Sequence, residues 1–256
     1  MKTLIAMMAA AAMLFNGCKD IGSGQSPSQG GEPASLPSTA VVCIGVENGW
    51  AGACPGAVVD AKRMAKLLKL QAGNAKLLLD KDATVNSVKA ALSDAVKSDF
   101  TVVFYSGHGG QDYYGDSSEA DGKDEFMCLY DKPLYDNDIW KILSTGKRVL
   151  LICDCCHSAT MFRTAVFSRR AKLLKAGKDS SSSVQMLCWS GCPDNTYSYG
   201  SEDGGQLTNA LLKHFDAALT YKQLWSKVKS DKQLKQFEDV QETVIGADFR
   251  EFQVFK

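Results

Sequence analysis

With 256 residues, 45% hydrophobic and 23% charged, the chain has the make-up of one medium-sized globular domain plus additional segments. Its 29 Lys and Arg balance its 29 Asp and Glu, which excludes recognition of nucleic acid or of a membrane surface through bulk charge.

Lys2 precedes an apolar stretch over residues 4–15 and then Phe15-Asn16-Gly17-Cys18. A basic start, a short apolar run and a small residue before a cleavage point describe an export signal, too short to span a bilayer as a helix. Gly17-Cys18 resembles a bacterial lipobox, so residues 1–18 are expected to be a signal peptide whose Cys18 takes a lipid. The alternative is a plain secretion signal with an incidental cysteine. Residues 19–39 are rich in Ser, Gly, Pro and Gln and cannot bury enough surface to order, which predicts a flexible tether. Together they predict an exported protein, held at a membrane only by its lipid and facing the periplasm or the exterior. Its nine cysteines would then meet an oxidising compartment, although Cys43, Cys153 and Cys188 lie in apolar runs where cysteine serves as a small hydrophobe.

From residue 40 to 256 strand and helix patterns alternate, the signature of an α/β domain with a mainly parallel sheet. Strands are predicted at 41–46, 76–79, 101–105, 126–129, 149–153 and 185–190, with edge strands at 243–245 and 252–255. Helices are predicted at 57–70, from a cap at Asp82 or Thr84 through Val96, and at 136–143, 207–218 and 221–229. An acidic insertion runs over 111–124. A basic and then Ser-rich segment, 163–183, reads as a mobile loop.

Two predicted strands stop at reactive side chains. Residues 101–105 lead into Ser106-Gly107-His108-Gly109-Gly110, and residues 149–153 lead into Asp154-Cys155-Cys156-His157-Ser158. Chemistry collects at the carboxyl ends of parallel strands, and a cysteine beside a histidine supplies a thiolate and a proton shuttle. Cys156 and Cys155 compete for the nucleophile, because successive side chains leaving a strand diverge and only one can face His108. The backbone N–H groups of Gly109 and Cys156 are candidates for an oxyanion hole. Zinc is a rival reading of Cys153, Cys155, Cys156 and His157, but no second Cys/His pair has matching spacing. His157 reads as a supporting residue and His214 as surface or core.

Tyr105-Ser106-Gly107-His108-Gly109 and Asp154-Cys155-Cys156-His157-Ser158-Ala159 resemble the histidine and cysteine motifs of the caspase-like peptidases, metacaspases most closely. Cys155 replaces the usual Ser and Ala159 the usual Gly of Asp-Ser-Cys-His-Ser-Gly. Residues 121–125, 190–195 and 205–211 support the resemblance, which spans residues 40 to 255. It implies a caspase-like three-layer α/β/α sandwich around a mainly parallel sheet of about six strands. It also implies a cysteine endopeptidase with His108 and Cys156 as its dyad.

Asp154 and Asp60 match the family's acidic S1 pocket, implying protein or peptide substrates with Arg or Lys at the cleavage site. For Asp60, an acid favoured at a helix N-terminus is the alternative. The chemistry needs no cofactor. The resemblance further implies calcium on Asp124, Asp136 and Asn137, hard oxygen donors, but Arg163 stands where a later acidic ligand is expected; a solvated acidic loop is the alternative. Basic specificity would make 163–178 a self-cleavage segment. The chain is expected to act as a monomer without nucleic acid. A catalytically silent caspase-like binding module on a membrane surface is the competing function.

Overall fold

The computed structural model describes residues 38–112, 124–155, 184–191, 200–237 and 240–254. A sheet of six strands forms its centre: β1 (Thr39–Gly45), β4 (Lys76–Leu79), β5 (Phe100–Ser106), β9 (Arg148–Asp154), β10 (Gln185–Ser190) and β13 (Gln241–Ile245). Their spatial order is β13-β10-β9-β5-β1-β4, parallel throughout except for β13, which runs antiparallel to β10. The expected α/β sandwich on a mainly parallel sheet is the one observed.

The central strands read as continuous apolar runs because helices cover both faces. Val42 and Ile44 of β1, Val103 and Tyr105 of β5, and Val149, Leu151 and Cys153 of β9 pack against α2 (Val85–Ala95) and α3 (Asp136–Leu143). The alternate positions Val41, Cys43, Val102, Phe104, Leu150 and Ile152 face α1 (Ala57–Ala72), α4 (Gln206–His214) and α5 (Tyr221–Lys229). This two-residue alternation sends consecutive side chains at each strand end to opposite sides of the sheet. Trp189 and Trp225 stack at 5.0 Å on the α5 side and anchor that layer.

Smaller pieces collect beyond the carboxyl ends. A hairpin of β2 (Asn48–Gly49) and β3 (Gly52–Ala53) links β1 to α1. β6 (Gly109–Asp112), β7 (Asp124–Cys128) and β8 (Pro133–Tyr135) form a three-stranded antiparallel sheet. The ends of the acidic insertion are therefore paired strands rather than loop. A second hairpin, β11 (Gly200–Ser201) and β12 (Gly204–Gly205), leads into α4.

Two expected elements depart from the structure by more than two residues. The helix expected over 207–218 ends at His214. Phe215 is extended, and Asp216 takes the Ala218 N–H on its side chain at 2.9 Å, an Asx turn that competes with further helix. The edge strand expected at 252–255 is also absent among the described residues. Gln253 makes a single bridge to Thr220, and the Phe252 ring lies 4.7 Å from the Arg148 guanidinium instead of joining the sheet. A short helix, α6 (Leu234–Phe237), has no counterpart among the predicted elements.

Candidate active site

His108 lies just past the end of β5, after Gly107. Its Nε2 lies 2.9 Å from the carbonyl oxygen of Ala53, on the β2–β3 hairpin. A carbonyl only accepts, so Nε2 carries the proton and Nδ1 keeps its lone pair for a proton from a nucleophile. The loop is braced from inside the sheet. Tyr105, fully buried, has its hydroxyl 2.6 Å from the His108 carbonyl and 3.0 Å from that of Cys128. Burial, then neighbouring thiols, push the Tyr105 pKa well up, so the phenol stays a neutral donor.

The Cys128 N–H donates to the His108 carbonyl at 2.9 Å. Opposed pairs in an antiparallel ladder alternate between bonded and non-bonded, so the next pair, Gly109 and Met127, leaves the Gly109 N–H pointing away from β7. That N–H is not consumed by the ladder.

On the opposite face, Ser106 and Asp154 are register partners at the ends of β5 and β9. Asp60, in the first turn of α1, reaches the same place, and all three are buried. Asp60 Oδ2 accepts from Ser106 Oγ at 3.0 Å and from the Gly205 N–H at 2.8 Å, while Oδ1 receives no hydrogen bond. Asp154 Oδ2 accepts from the N–H and the hydroxyl of Thr208 at 2.9 and 2.6 Å.

The carboxyl groups lie directly beneath β12. A Cβ on Gly204, whose φ is +100°, would run into Asp60 Oδ1, and one on Gly205 would come within 2.6 Å of Asp154 Cγ. Arg63 ties this cover down, donating to the Asp203 carbonyl at 3.0 Å and to Asn209 at 2.7 Å. Burial first and the Asp154 charge second push the Asp60 pKa up to about 7, against the opposing pull of Gly205, Ser106 and Arg63.

Cys155 is 1% exposed and belongs to the core face shared with Tyr105. It is not presented where Asp154 points. Cys156 and His157 lie outside the described residues, as do Cys18, residues 19–37 of the tether, Arg163 and the segment 163–183. Of the residues in the zinc reading, Cys153 and Cys155 share the buried face of Tyr105, and the other two lie outside the described residues. Among the described residues no group of three or more His, Cys, Asp or Glu is placed to hold a metal ion.

Of the calcium candidates, Asn137 donates its amide to Asp124 at 3.2 Å, and Asp136 is fully buried at the start of α3. These oxygen donors suit calcium by type. The Asn137 amide turns its nitrogen to Asp124, however, and residues 113–123 of the acidic insertion lie outside the described residues. His214 Nε2 lies 2.8 Å from Asp231, which also takes Lys213 at 2.7 Å, a clamp between α4 and the turn before α6.

Sequence reasoning missed the Ala53 carbonyl, which carries no side-chain signal. It also assigned no role to Thr208, although the supporting motif over 205–211 contains it.

The family model described as the caspase domain matches residues 39–244. Metacaspase-1 of Cryptococcus neoformans is 26% identical over 250 residues, covering 70% of this chain and 55% of that protein. Metacaspase-3 of Arabidopsis thaliana is 27% identical over 212 residues, covering 68% and 58%. The chain thus spans little more than half the length of these relatives. Among solved structures, a Geobacter sulfurreducens protein superposes with a TM-score of 0.67 at 24% identity over 86% of this chain and 98% of that one. Caspase-1 of Spodoptera frugiperda gives 0.53 at 11% identity over 82% and 86%. At those identities the two structures speak for the fold, and the family match for descent: the chain belongs to the caspase-domain family.

Proposed function

We propose that the protein is a cysteine endopeptidase that cleaves peptide bonds after Arg or Lys, with His108 and Cys156 as its dyad. The observation that carries this reading is the conjunction, at the carboxyl ends of the central strands, of a tautomer-fixed histidine and two adjoining buried carboxyl groups. The Cys156 thiol passes its proton to His108 Nδ1, and Sγ attacks the scissile carbonyl carbon. The Gly109 and Cys156 N–H groups receive the oxyanion. The imidazolium then protonates the leaving amine as the C–N bond breaks, leaving a thioester. His108 next takes a proton from water, the hydroxide attacks the thioester, and the departing sulfur recovers its proton.

Asp60 and Asp154 face the substrate's cationic side chain, which supplies the positive charge that their burial lacks. The same preference makes the basic segment 163–178 the expected self-cleavage region. The peptidase acts as a monomer, and no step passes through a cofactor, so chelating calcium is expected to leave kcat within about twofold. Among the described residues no helix is long and apolar enough to cross a membrane. Attachment through a lipid on Cys18 of an exported protein is the corresponding localisation, and Cys18→Ala should release it from the membrane fraction.

Fluorogenic peptides ending in Arg, Lys or Asp, offered to wild type and Cys156→Ala, test the activity. Cys156-dependent turnover of the Arg and Lys peptides alone is expected. Absence of Cys156-dependent hydrolysis of any peptide contradicts the enzyme and favours a silent binding module.

A further inference from the structure

We propose that Asp80 is a positioning residue for this reaction, holding the His108 tautomer (Nε2–H, bare Nδ1) through the β2–β3 hairpin. The inference rests on the peptidase reading above for its kinetic consequence, but not for its structural one.

Asp80 follows β4 and is the one non-glycine residue with positive φ, +41°, among the described residues. Asp tolerates this region better than most side chains but does not prefer it. Such a conformation persists where its surroundings over-determine it. Its carbonyl closes a local turn, accepting the Ala83 N–H at 2.7 Å. Its side chain does something else. Oδ1 accepts the N–H groups of Glu47 and Asn48 at 2.8 and 2.9 Å, groups 33 and 32 positions back in the chain. A residue serving only its own turn has no use for those bonds.

Glu47 and Asn48 are where the chain leaves β1 for the hairpin. The preceding N–H, that of Val46, is already committed to the Ser106 carbonyl at 3.0 Å. The Glu47 carbonyl then accepts the Cys54 N–H at 2.7 Å and closes the loop, so the two ends of the hairpin are fixed together. Ala53, immediately before Cys54, gives its carbonyl to His108 Nε2 at 2.9 Å. Three consecutive contacts therefore connect the Asp80 carboxylate to the imidazole. Trp50 braces the far end of the hairpin, its N–H donating to the Tyr130 carbonyl at 3.1 Å and its ring lying 6.5 Å from that of Phe126. A carboxylate accepting two N–H groups makes the stronger, charge-assisted kind of bond. It is the contact that sets where the Ala53 carbonyl stands.

Three variants separate conformation from hydrogen bonding. Asp80→Gly keeps the positive φ and loses the acceptor. Asp80→Asn keeps an acceptor oxygen and tolerates the φ. Asp80→Ala loses both. Small misplacement of a catalytic group costs about 10- to 100-fold in rate. For Arg-peptide hydrolysis, Asp80→Gly and Asp80→Ala are expected to lower kcat by about tenfold or more with KM within about twofold, and Asp80→Asn to retain most of it.

The full chain carrying Cys156→Ala, labelled with nitrogen-15 at histidine, gives a readout independent of activity. His108 is assigned by its loss in His108→Ala. The Nε2–H tautomer should dominate in the parent and in Asp80→Asn, and give way to a mixture in Asp80→Gly and Asp80→Ala. If wild type shows no Cys156-dependent hydrolysis, the peptidase reading falls and the tautomer measurement still decides the role of Asp80. An unchanged His108 signal in both Asp80→Gly and Asp80→Ala overturns the inference. So does a loss of melting temperature with kcat per folded molecule unchanged.

Discussion

Asp60 lives with an electrostatic conflict. It is 1% exposed, adjoins a second carboxyl group, and has one oxygen without a hydrogen bond. Its pKa is raised to about 7, above the ordinary carboxylate range, chiefly by burial. The folded state therefore holds a proton that the unfolded chain has released, and the stability this confers, complete below the unfolded pKa, is lost as pH rises through about 7. Asp60→Asn removes the conflict. It is expected to stabilise the protein by on the order of 2 kcal/mol at pH 8 and by little near pH 4, measured by urea unfolding. The same variant should lose most of its turnover of Arg peptides.

The substrate follows the opposite sign. Ionisation of Asp60 makes the pocket more negative, so kcat/KM for Arg peptides should gain a rising inflection near pH 7. Asp154→Asn removes a charge that raises this pKa and should move the inflection to lower pH. An inflection that persists unchanged in Asp60→Asn would assign it to another group.

At the scale of elements, the proposed substrate pocket depends on how α4 and β12 approach the sheet ends. Thr208 presents both its N–H and its hydroxyl to Asp154, and β12 passes close enough that Gly205 has no room for a Cβ. Thr208→Val keeps the shape and removes the hydroxyl donor, leaving a buried carboxylate short of one bond. The expected cost is about 1–3 kcal/mol of stability, with KM for Arg peptides rising more than kcat falls.

These relations show what periodicity can carry. The helices Asp136–Leu143 and Tyr221–Lys229 and the strands Lys76–Leu79 and Gln185–Ser190 were legible to the residue, because burial on a helix face or within a sheet imposes its pattern on side-chain polarity. β6 was not legible. Gly109-Gly110-Gln111-Asp112 has no strand propensity and is a strand only because β7 lies beside it. The site divides in the same way. His108, Asp60 and Asp154 announce themselves as titratable groups at strand or helix ends, whereas Ala53 and Asp80 act through backbone contacts between remote segments.

For the whole molecule, two helical layers on a mainly parallel sheet bury most of the described cysteines so deeply that the fold shields them from thiol chemistry. Burial pushes the Cys43 thiol up to about 12 and the Cys188 thiol well above its ordinary value. Neither forms appreciable thiolate near neutral pH. Native-state alkylation at pH 8 followed by peptide mapping should spare both until the protein is unfolded. Modification of either in the native state would mean that the face of the sheet on which it lies opens far more readily than its packing implies.

The central claim is that one thiol beside His108 attacks substrates selected by two carboxyl groups. Cys155 is buried in the core beside Tyr105, in keeping with the proposed assignment of the nucleophile to Cys156. The direct measurement is covalent trapping with peptidyl acyloxymethyl ketones bearing Arg or Asp, read by intact mass and peptide mapping. One Arg-reagent adduct per chain is predicted, on Cys156, lost in His108→Ala and strongly slowed in Asp60→Asn, with the Asp reagent unreactive. Adduct on Cys155, or equal labelling by the Asp reagent, would contradict the account.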